Sequence, residues 1–341
     1  MSEDGDIDLY SILTGFKWLL KQLYLQVALD EEIPDMLERP RRFIELIASK
    51  GYKNLKLSEA FFGFLQEIGV LVLEGDRYSW YHGELGTQSK GKSILEQEAV
   101  SQRLVQQKAM PLFGILKSFA ERLPNVLKGE PGSREDELAI WDSLYGTDLY
   151  EFLRKEAITH ANIPENSLIL DIGCRTGWST INLIELTNPK KVIALDSNEA
   201  MLELAYENIV TAGYQDKVQL IVGDLRNKIN FSKKFDVVFS NLYFNRIEDL
   251  QLTDILFNLA PLMVNRGLLC GLQPIKSDDN VGPAELLLYS DIEFKGYPTF
   301  FNFYTNFEKA GFIDLEINKS MFFKCRLSGA REEIELKKKK K

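Results

Sequence analysis

The segment Leu170-Asp171-Ile172-Gly173-Cys174-Arg175-Thr176-Gly177 carries the most informative chemistry in the chain. It follows a short apolar run and opens a helical pattern. Glycines in such a turn let the backbone bend tightly and approach a ligand. A glycine-rich turn alone is a weak sign, and two further acids strengthen it. Asp196 ends the next apolar run, Val192-Ile193-Ala194-Leu195, where a carboxylate can accept hydrogen bonds from both ribose hydroxyls. Asp224 follows the third run, in Val222-Gly223-Asp224-Leu225. In open α/β sheets, ligands bind outside the carboxyl ends of the strands, where all three acids fall.

The spacing also selects among ligands. A pyrophosphate favours Gly-x-Gly-x-x-Gly and a helix start free of acids. Here the spacing is Gly-x-x-x-Gly, and Asp171 stands at the mouth of the loop. That carboxylate would repel a pyrophosphate and attract an ammonium or a sulfonium. S-adenosylmethionine carries both, together with a ribose and an adenine. The arrangement therefore disfavours a nicotinamide-dependent oxidoreductase. Asp171, Asp196 and Asp224 would serve the amino-acid, ribose and adenine ends.

The elements that position these residues alternate between strand and helix from Ser167 onward. Strands are expected at 168–170, 192–195, 218–222, 235–239 and 267–272, with helices at 180–186, 200–212 and 252–263. This rhythm argues α/β: a doubly wound, Rossmann-like parallel sheet. Upstream, residues 9–29 and 43–48 have helical spacing. Ser58 is expected to cap a third helix ending near Gly69. Residues 70–80 read as a hairpin turning at Gly75-Asp76, so a mostly helical winged-helix domain precedes the sheet. Helices are also expected over 92–123 and 136–161, separated by a turn cluster at 128–133. The resulting division is 1–90 winged-helix-like, 91–165 a helical region bordering the active site, 166–328 catalytic, and 329–341 a charged tail. The lysine run 337–341 is given no functional weight.

Composition narrows the function classes. The 341 residues carry 41 basic and 50 acidic side chains, a net charge of −9. No broad basic surface for nucleic acid is expected. The third N-terminal helix bears Phe61, Phe62, Phe64 and Leu65 but no Lys or Arg from Glu59 to Ile68. It suits burial against another chain better than the major groove. Cys174, Cys270 and Cys325 lie far apart, so no metal site or disulfide framework is expected and a cytoplasmic setting fits. The acids among the first eight residues do not suit a signal peptide, and no run of about 18 residues is apolar enough to span a membrane.

Residues 167–272 resemble a class I S-adenosylmethionine-dependent methyltransferase. The motif around Asp171 is similar to that family's first motif, and Ala194-Leu195-Asp196-Ser197-Asn198-Glu199-Ala200-Met201-Leu202 to its second. Val222-Gly223-Asp224-Leu225 and Phe235-Asp236-Val237-Val238-Phe239-Ser240-Asn241 match the next two. Upstream, Phe61 to Leu71 and Gly75-Asp76-Arg77-Tyr78 look like the winged-helix dimerisation domain of small-molecule O-methyltransferases.

The resemblance implies a homodimer and methyl transfer from S-adenosyl-L-methionine to a small molecule. The aromatic-rich stretch Phe294, Tyr297, Phe300, Phe301, Phe303, Tyr304 and Phe307 is expected to serve the core first; members that line the pocket would imply an apolar or aromatic acceptor. It implies cofactor contacts from Asp171, Gly173, Cys174, Gly177, Asp196, Ser197, Asp224, Leu225, Ser240 and Asn241. Two departures stand out. Arg175 occupies a loop position usually held by a small residue; pointing inward, it would repel a sulfonium. The family's catalytic His falls at Asn245, which cannot act as a base near neutral pH. Asp249, with its neighbour Glu248, and His160 are the candidate replacements. His82 reads as a surface residue. The alternative is a catalytically silent, cofactor-binding regulatory protein.

Overall fold

The computed structural model describes residues 9–81, 103–131 and 137–329. His82, the lysine run and parts of the expected 92–123 and 136–161 helices and of the 128–133 turn lie outside these residues. In chain order the elements are α1 (Leu9–Asp30), α2 (Ile33–Met36), β1 (Arg41–Arg42), α3 (Phe43–Lys50), α4 (Leu55–Glu67), β2 (Leu71–Glu74), β3 (Arg77–Trp80), α5 (Arg103–Leu127), α6 (Glu137–Tyr145), α7 (Asp148–Ala161), β4 (Leu168–Ile172), α8 (Trp178–Thr187), β5 (Lys191–Asp196), α9 (Glu199–Thr211), β6 (Val218–Val222), β7 (Phe235–Asn241), α10 (Asp249–Leu259), β8 (Met263–Leu272), α11 (Pro283–Leu288), α12 (Phe300–Lys309), β9 (Phe312–Asn318) and β10 (Phe322–Leu327). None of these helices is long and apolar enough to cross a membrane.

Two compact units divide the chain. The first comprises Met1–Glu135 and Asn280–Phe294; the second, Asp136–Asp279 and Lys295–Lys341. In the first, β2 and β3 pair antiparallel around a two-residue turn at Gly75-Asp76, and β1 adds to β3. Gly75 takes the positive φ that a tight hairpin turn demands. Helix α4 starts one turn earlier than expected. Asn54 caps it by accepting from Leu57 N at 3.2 Å, while Ser58 lies inside the helix and donates to Asn54 O at 2.8 Å. Ser58 is fully buried, where a cap residue would be half in solvent. The aromatic face of α4 serves this unit's own core. Phe61, Phe62 and Leu65 are wholly buried, and Tyr24 packs edge-on against Phe64 at 4.8 Å.

The second unit is a seven-stranded sheet in the order β6-β5-β4-β7-β8-β10-β9. The first five strands in that order run parallel, and β10 runs antiparallel to both β8 and β9. The sheet is therefore mixed rather than wholly parallel. The central strand β4 is apolar on both faces, as a strand covered by helices must be: Ile169, Leu170 and Ile172 are fully buried. The antiparallel pair escaped the sequence reading because its pattern is irregular. β10 is buried along most of its length, and β9 carries the non-glycine left-handed residue Asp314.

The aromatic stretch before β9 divides by helical face. Phe303 and Phe307 of α12 join Phe244 and Phe323 in the core, while Phe301 and Tyr304 face solvent. The order of connections reverses between β4 and β7. In an α/β sheet such a reversal marks the carboxyl ends of these strands as the expected place for a ligand crevice.

Candidate functional site

β4 delivers Asp171 to that crevice, and the chain then bends through Gly173–Gly177 into α8. The backbone N–H groups of Gly173 and Cys174 both donate to Leu195 O, at 2.8 and 3.1 Å, clamping the loop against β5. Gly177 is left-handed at the start of α8, and a Cβ there would come within 3.1 Å of Ala205 Cβ. The glycine thus lets α8 and α9 pack closely.

Asp171 is fully buried. Its Oδ2 accepts from Ser179 Oγ at 2.8 Å and Thr180 Oγ1 at 2.6 Å. Its Oδ1 has no partner among the described residues. Burial is the main cause that pushes its carboxyl up to about 7; the two hydroxyl bonds oppose this, Asp196 adds to it and the Arg154 cation relieves it. The sign for stability follows. The unfolded chain ionises Asp171 near its ordinary value, whereas the folded chain keeps the proton until about pH 7. Folded stability therefore falls between those two values and stays lowered above them. Asp171→Asn removes this term. We expect a variant melting temperature that rises relative to wild type from pH 5 to pH 8, read by calorimetric melts. A constant offset across that range would contradict the assignment.

Asp196 ends β5 as a backbone clasp. Its Oδ2 accepts from Arg175 N at 2.9 Å and its Oδ1 from Asn198 N at 2.9 Å. Asn198 in turn caps α9 through Met201 N, and Ser197 is exposed between them. Asp224 is closed by Arg226: its Oδ1 accepts from Arg226 N at 2.9 Å, and its Oδ2 from Nε at 2.7 Å and Nη2 at 2.6 Å. Burial alone would raise the Asp224 carboxyl; the bonds from Arg226 outweigh it and hold the group below the usual carboxylate range. Leu225 is buried, and its carbonyl accepts from Asn258 Nδ2 at 2.9 Å, pinning this loop to α10.

Along the carboxyl edge lies a row of buried oxygens without hydrogen-bond partners among the described residues: Thr176 Oγ1, Ser240 Oγ, Asn241 Oδ1, Asn245 Oδ1 and Gln273 Oε1, beside Asp171 Oδ1. Buried polar atoms are rarely left unpaired, so such a row marks where a polar ligand completes the bonding. S-adenosylmethionine, with its ammonium and hydroxyl donors, fits this acceptor-rich set. Asn241 and Leu272 are paired neighbours on β7 and β8, so Gln273 lies just past that pair.

The structure does not gather all the sequence-derived candidates. Asp249 is exposed at the first position of α10, and its Oδ2 accepts from Asn302 Nδ2 at 2.7 Å. That bond ties α10 to α12. His160 lies in the last turn of α7, which leads toward the amino end of β4. Its ring neighbour is Phe322. Burial chiefly lowers its pKa, with Lys324 lowering it further and Glu316 opposing. Of these neighbours, Phe322 pairs with Leu272 at the carboxyl end of β8, while Lys324 and Glu316 pair further back along the sheet. Arg175 does point inward. It is left-handed at φ 50°, 7% exposed, and its guanidinium lies 4.8 Å from the centroid of the Trp141 ring. An aromatic face accommodates this cation.

Sequence reasoning missed the residues that support the loop from behind. Arg154 is 1% exposed, donating from Nε to Asn182 Oδ1 at 2.9 Å and from Nη1 to Tyr145 O at 2.6 Å. Asp142 receives Trp178 Nε1 at 2.9 Å and Asn208 Nδ2 at 3.0 Å, while Asn208 also bonds Thr176 O. Their only sequence signal was a polar residue on an otherwise apolar helical face.

Comparisons with known proteins agree on the class of this unit. Residues 169–267 match the family described as "Methyltransferase domain". The malonyl-[acyl-carrier protein] O-methyltransferase of Halalkalibacterium halodurans is 32% identical over 87 residues, which is 25% of this chain and 31% of that protein. The demethylmenaquinone methyltransferase of Lactobacillus johnsonii is 31% identical over 97 residues, covering 28% and 40%. The chain thus spans about a third of the length of the curated relatives it matches.

Solved structures extend the likeness of fold. The CurJ carbon methyltransferase aligns with a TM-score of 0.64 at 14% identity, over 93% of this chain and 92% of that one. An O-methyltransferase family protein from Burkholderia thailandensis aligns at 0.54 and 16% identity, over 95% and 100%. The three acids at the ends of β4, β5 and β6, and the unpartnered oxygens of Ser240, Asn241 and Asn245 at and beyond the end of β7, accordingly lie in a class I, S-adenosylmethionine-dependent methyltransferase domain, in a chain that resembles small-molecule O-methyltransferases.

Proposed function

We propose that the chain transfers a methyl group to a small acceptor with an apolar or aromatic body. The observation that carries this reading is the row of unpartnered buried oxygens beside Asp171, at the point where the sheet's strand order reverses. S-adenosylmethionine, when bound, supplies an electrophilic methyl group on a sulfonium centre. Asp171 Oδ1 would accept from its ammonium, with the Gly173 loop beneath. Asp196 would take the ribose hydroxyls on lone pairs left over from its two backbone bonds. Asp224 and the Leu225 backbone would face the adenine, and Ser240 and Asn241 would floor the pocket near the sulfonium.

Alignment of donor and acceptor can supply much of such a displacement's rate, with effective molarities of ~10⁵ M or more in good cases. Asn245 is 6% exposed in the turn after β7, and its backbone oxygen accepts from Lys295 N. It can orient an acceptor by hydrogen bonding but cannot take its proton. This favours an acceptor that is already acidic, or one whose nucleophile needs no base. The names of the relatives include both oxygen and carbon methyltransferases, and either atom meets this condition where it is already ionised or strongly activated, as in a carboxylate or an acidic carbon.

The first unit, whose helices α3 and α4 are followed by the β2–β3 hairpin with β1 added to it, supports a winged-helix dimerisation domain over residues 1–90, hence a homodimer. The catalytic domain would then cover 166–328. Three buried free cysteines suit a cytoplasmic setting. The catalytically silent alternative rests on Asn245. Calorimetric titration with S-adenosylmethionine and S-adenosylhomocysteine tests the cofactor reading, and micromolar binding is expected. Release of S-adenosylhomocysteine with any acceptor in a screen would end the silent alternative. A folded protein that binds neither ligand would overturn the proposal.

A further inference from the structure

The sequence motifs assign no role to Tyr243, yet the structure seats its ring on the glycine loop. A Cβ built on Gly173 would lie 2.7 Å from Tyr243 Cδ2 and 3.4 Å from its Cβ, so the ring rests directly against the bare Cα face of that glycine. Gly173 has φ 65°, so its exposed backbone also needs the conformation only glycine adopts readily. The chain is turned to place the ring there. Leu242, a non-glycine residue, is left-handed at φ 58° and held by its N–H donating to Leu272 O at 2.8 Å. Bulky residues seldom adopt that conformation, and they do so where the surroundings over-determine it. Phe244 then braces the Tyr243 ring edge-on at 5.7 Å.

The phenol feels the charges of the groups expected to read the nucleoside. Burial chiefly raises its pKa; Asp224 and Asp196 raise it further and Arg226 opposes. Arg226 bonds to both oxygens of the Asp224 carboxylate. A glycine-rich turn of this kind is used by letting a ligand approach its backbone closely. The Tyr243 ring and such a ligand therefore contend for one surface.

We propose that Tyr243 covers the cofactor cleft and must leave the Gly173 face before a nucleoside-bearing ligand can occupy it. The inference rests on the cofactor reading above. A site that is competent only when uncovered has its apparent dissociation constant raised by the reciprocal of the uncovered fraction. Removing the cover returns that factor as tighter binding and faster association.

The test is calorimetry and stopped-flow binding of S-adenosylhomocysteine to the full chain. Tyr243→Ala is expected to bind ~tenfold tighter and associate faster than wild type, as for a site uncovered a tenth of the time. Tyr243→Phe, which keeps the ring, is expected to stay near wild type. Tyr243→Val serves as the second variant should the alanine form not fold by circular dichroism. A folded Ala or Val variant that binds equally or more weakly than wild type overturns the inference. That result would make the ring a wall of the bound site. Absence of binding by wild type and variants alike would overturn the cofactor reading itself, and this inference with it.

Discussion

Asp196→Ala weakens S-adenosylhomocysteine binding by about a hundredfold. The expectation comes from two coupled losses. The carboxylate at the end of β5 is proposed to accept from both ribose hydroxyls, and hydrogen bonds to a charged partner contribute ~1.5–3 kcal/mol each. The same carboxylate also holds Arg175 N and Asn198 N, so the glycine loop and the start of α9 lose their shared anchor. A hundredfold change corresponds to ~2.7 kcal/mol, within reach of these losses even if the loop partly relaxes. Calorimetric titration at pH 8 checks the value. Asp196→Asn, which keeps one acceptor oxygen, is expected to fall between alanine and wild type. A loss under threefold for the alanine variant would remove Asp196 from the site.

Arg154→Met lowers the folding stability by ~3–5 kcal/mol, the range for stripping one partner from a buried charged network. Arg154 is nearly fully buried, and burial is the chief cause that lowers its pKa to about 10, still cationic at neutral pH. Its guanidinium satisfies Asn182 Oδ1 and Tyr145 O, neither of which methionine can reach with a donor. Its charge also relieves the buried Asp171 carboxyl. Urea unfolding monitored by tryptophan fluorescence measures the first effect. The second appears as weaker ligand binding at pH 7 that recovers at pH 9, once Asp171 ionises without its cation. A stability loss below 1 kcal/mol would show the cavity to be wet enough to do without the guanidinium.

The residues proposed to hold the ligand were legible as strand-end acids and a glycine loop because such features have fixed spacings. Asp171, Asp196 and Asp224 each stand at the end of a strand that alternating apolar runs announced. What supports them was not legible. Arg154 and Asp142 act on the loop across gaps of many residues, and no local period reports such contacts. Tyr243 depends on a left-handed leucine, a conformation that leucine's own preferences oppose. The antiparallel β9–β10 pair was hidden for a related reason: its strands alternate imperfectly and are interrupted by left-handed turns. Asp249 and His160 were candidate bases by order along the chain; the folded structure bonds Asp249 to Asn302 of α12 and sets the His160 ring beside Phe322 of β10.

The division of the chain into units bears on the order in which the protein is made. Unit one takes its last segment, Asn280–Phe294, from beyond most of unit two. Within that segment, Pro283 O accepts the buried Tyr24 hydroxyl at 2.7 Å, and Ser290 Oγ donates to Phe119 O at 2.9 Å. A ribosome that has finished residue 135 has therefore released only part of the first unit, which must wait for another ~150 residues at ~5–20 residues per second. The nascent amino-terminal helices spend those seconds with the α11 face open. The same arrangement means that a fragment ending at residue 135 is an unfinished domain rather than a small one.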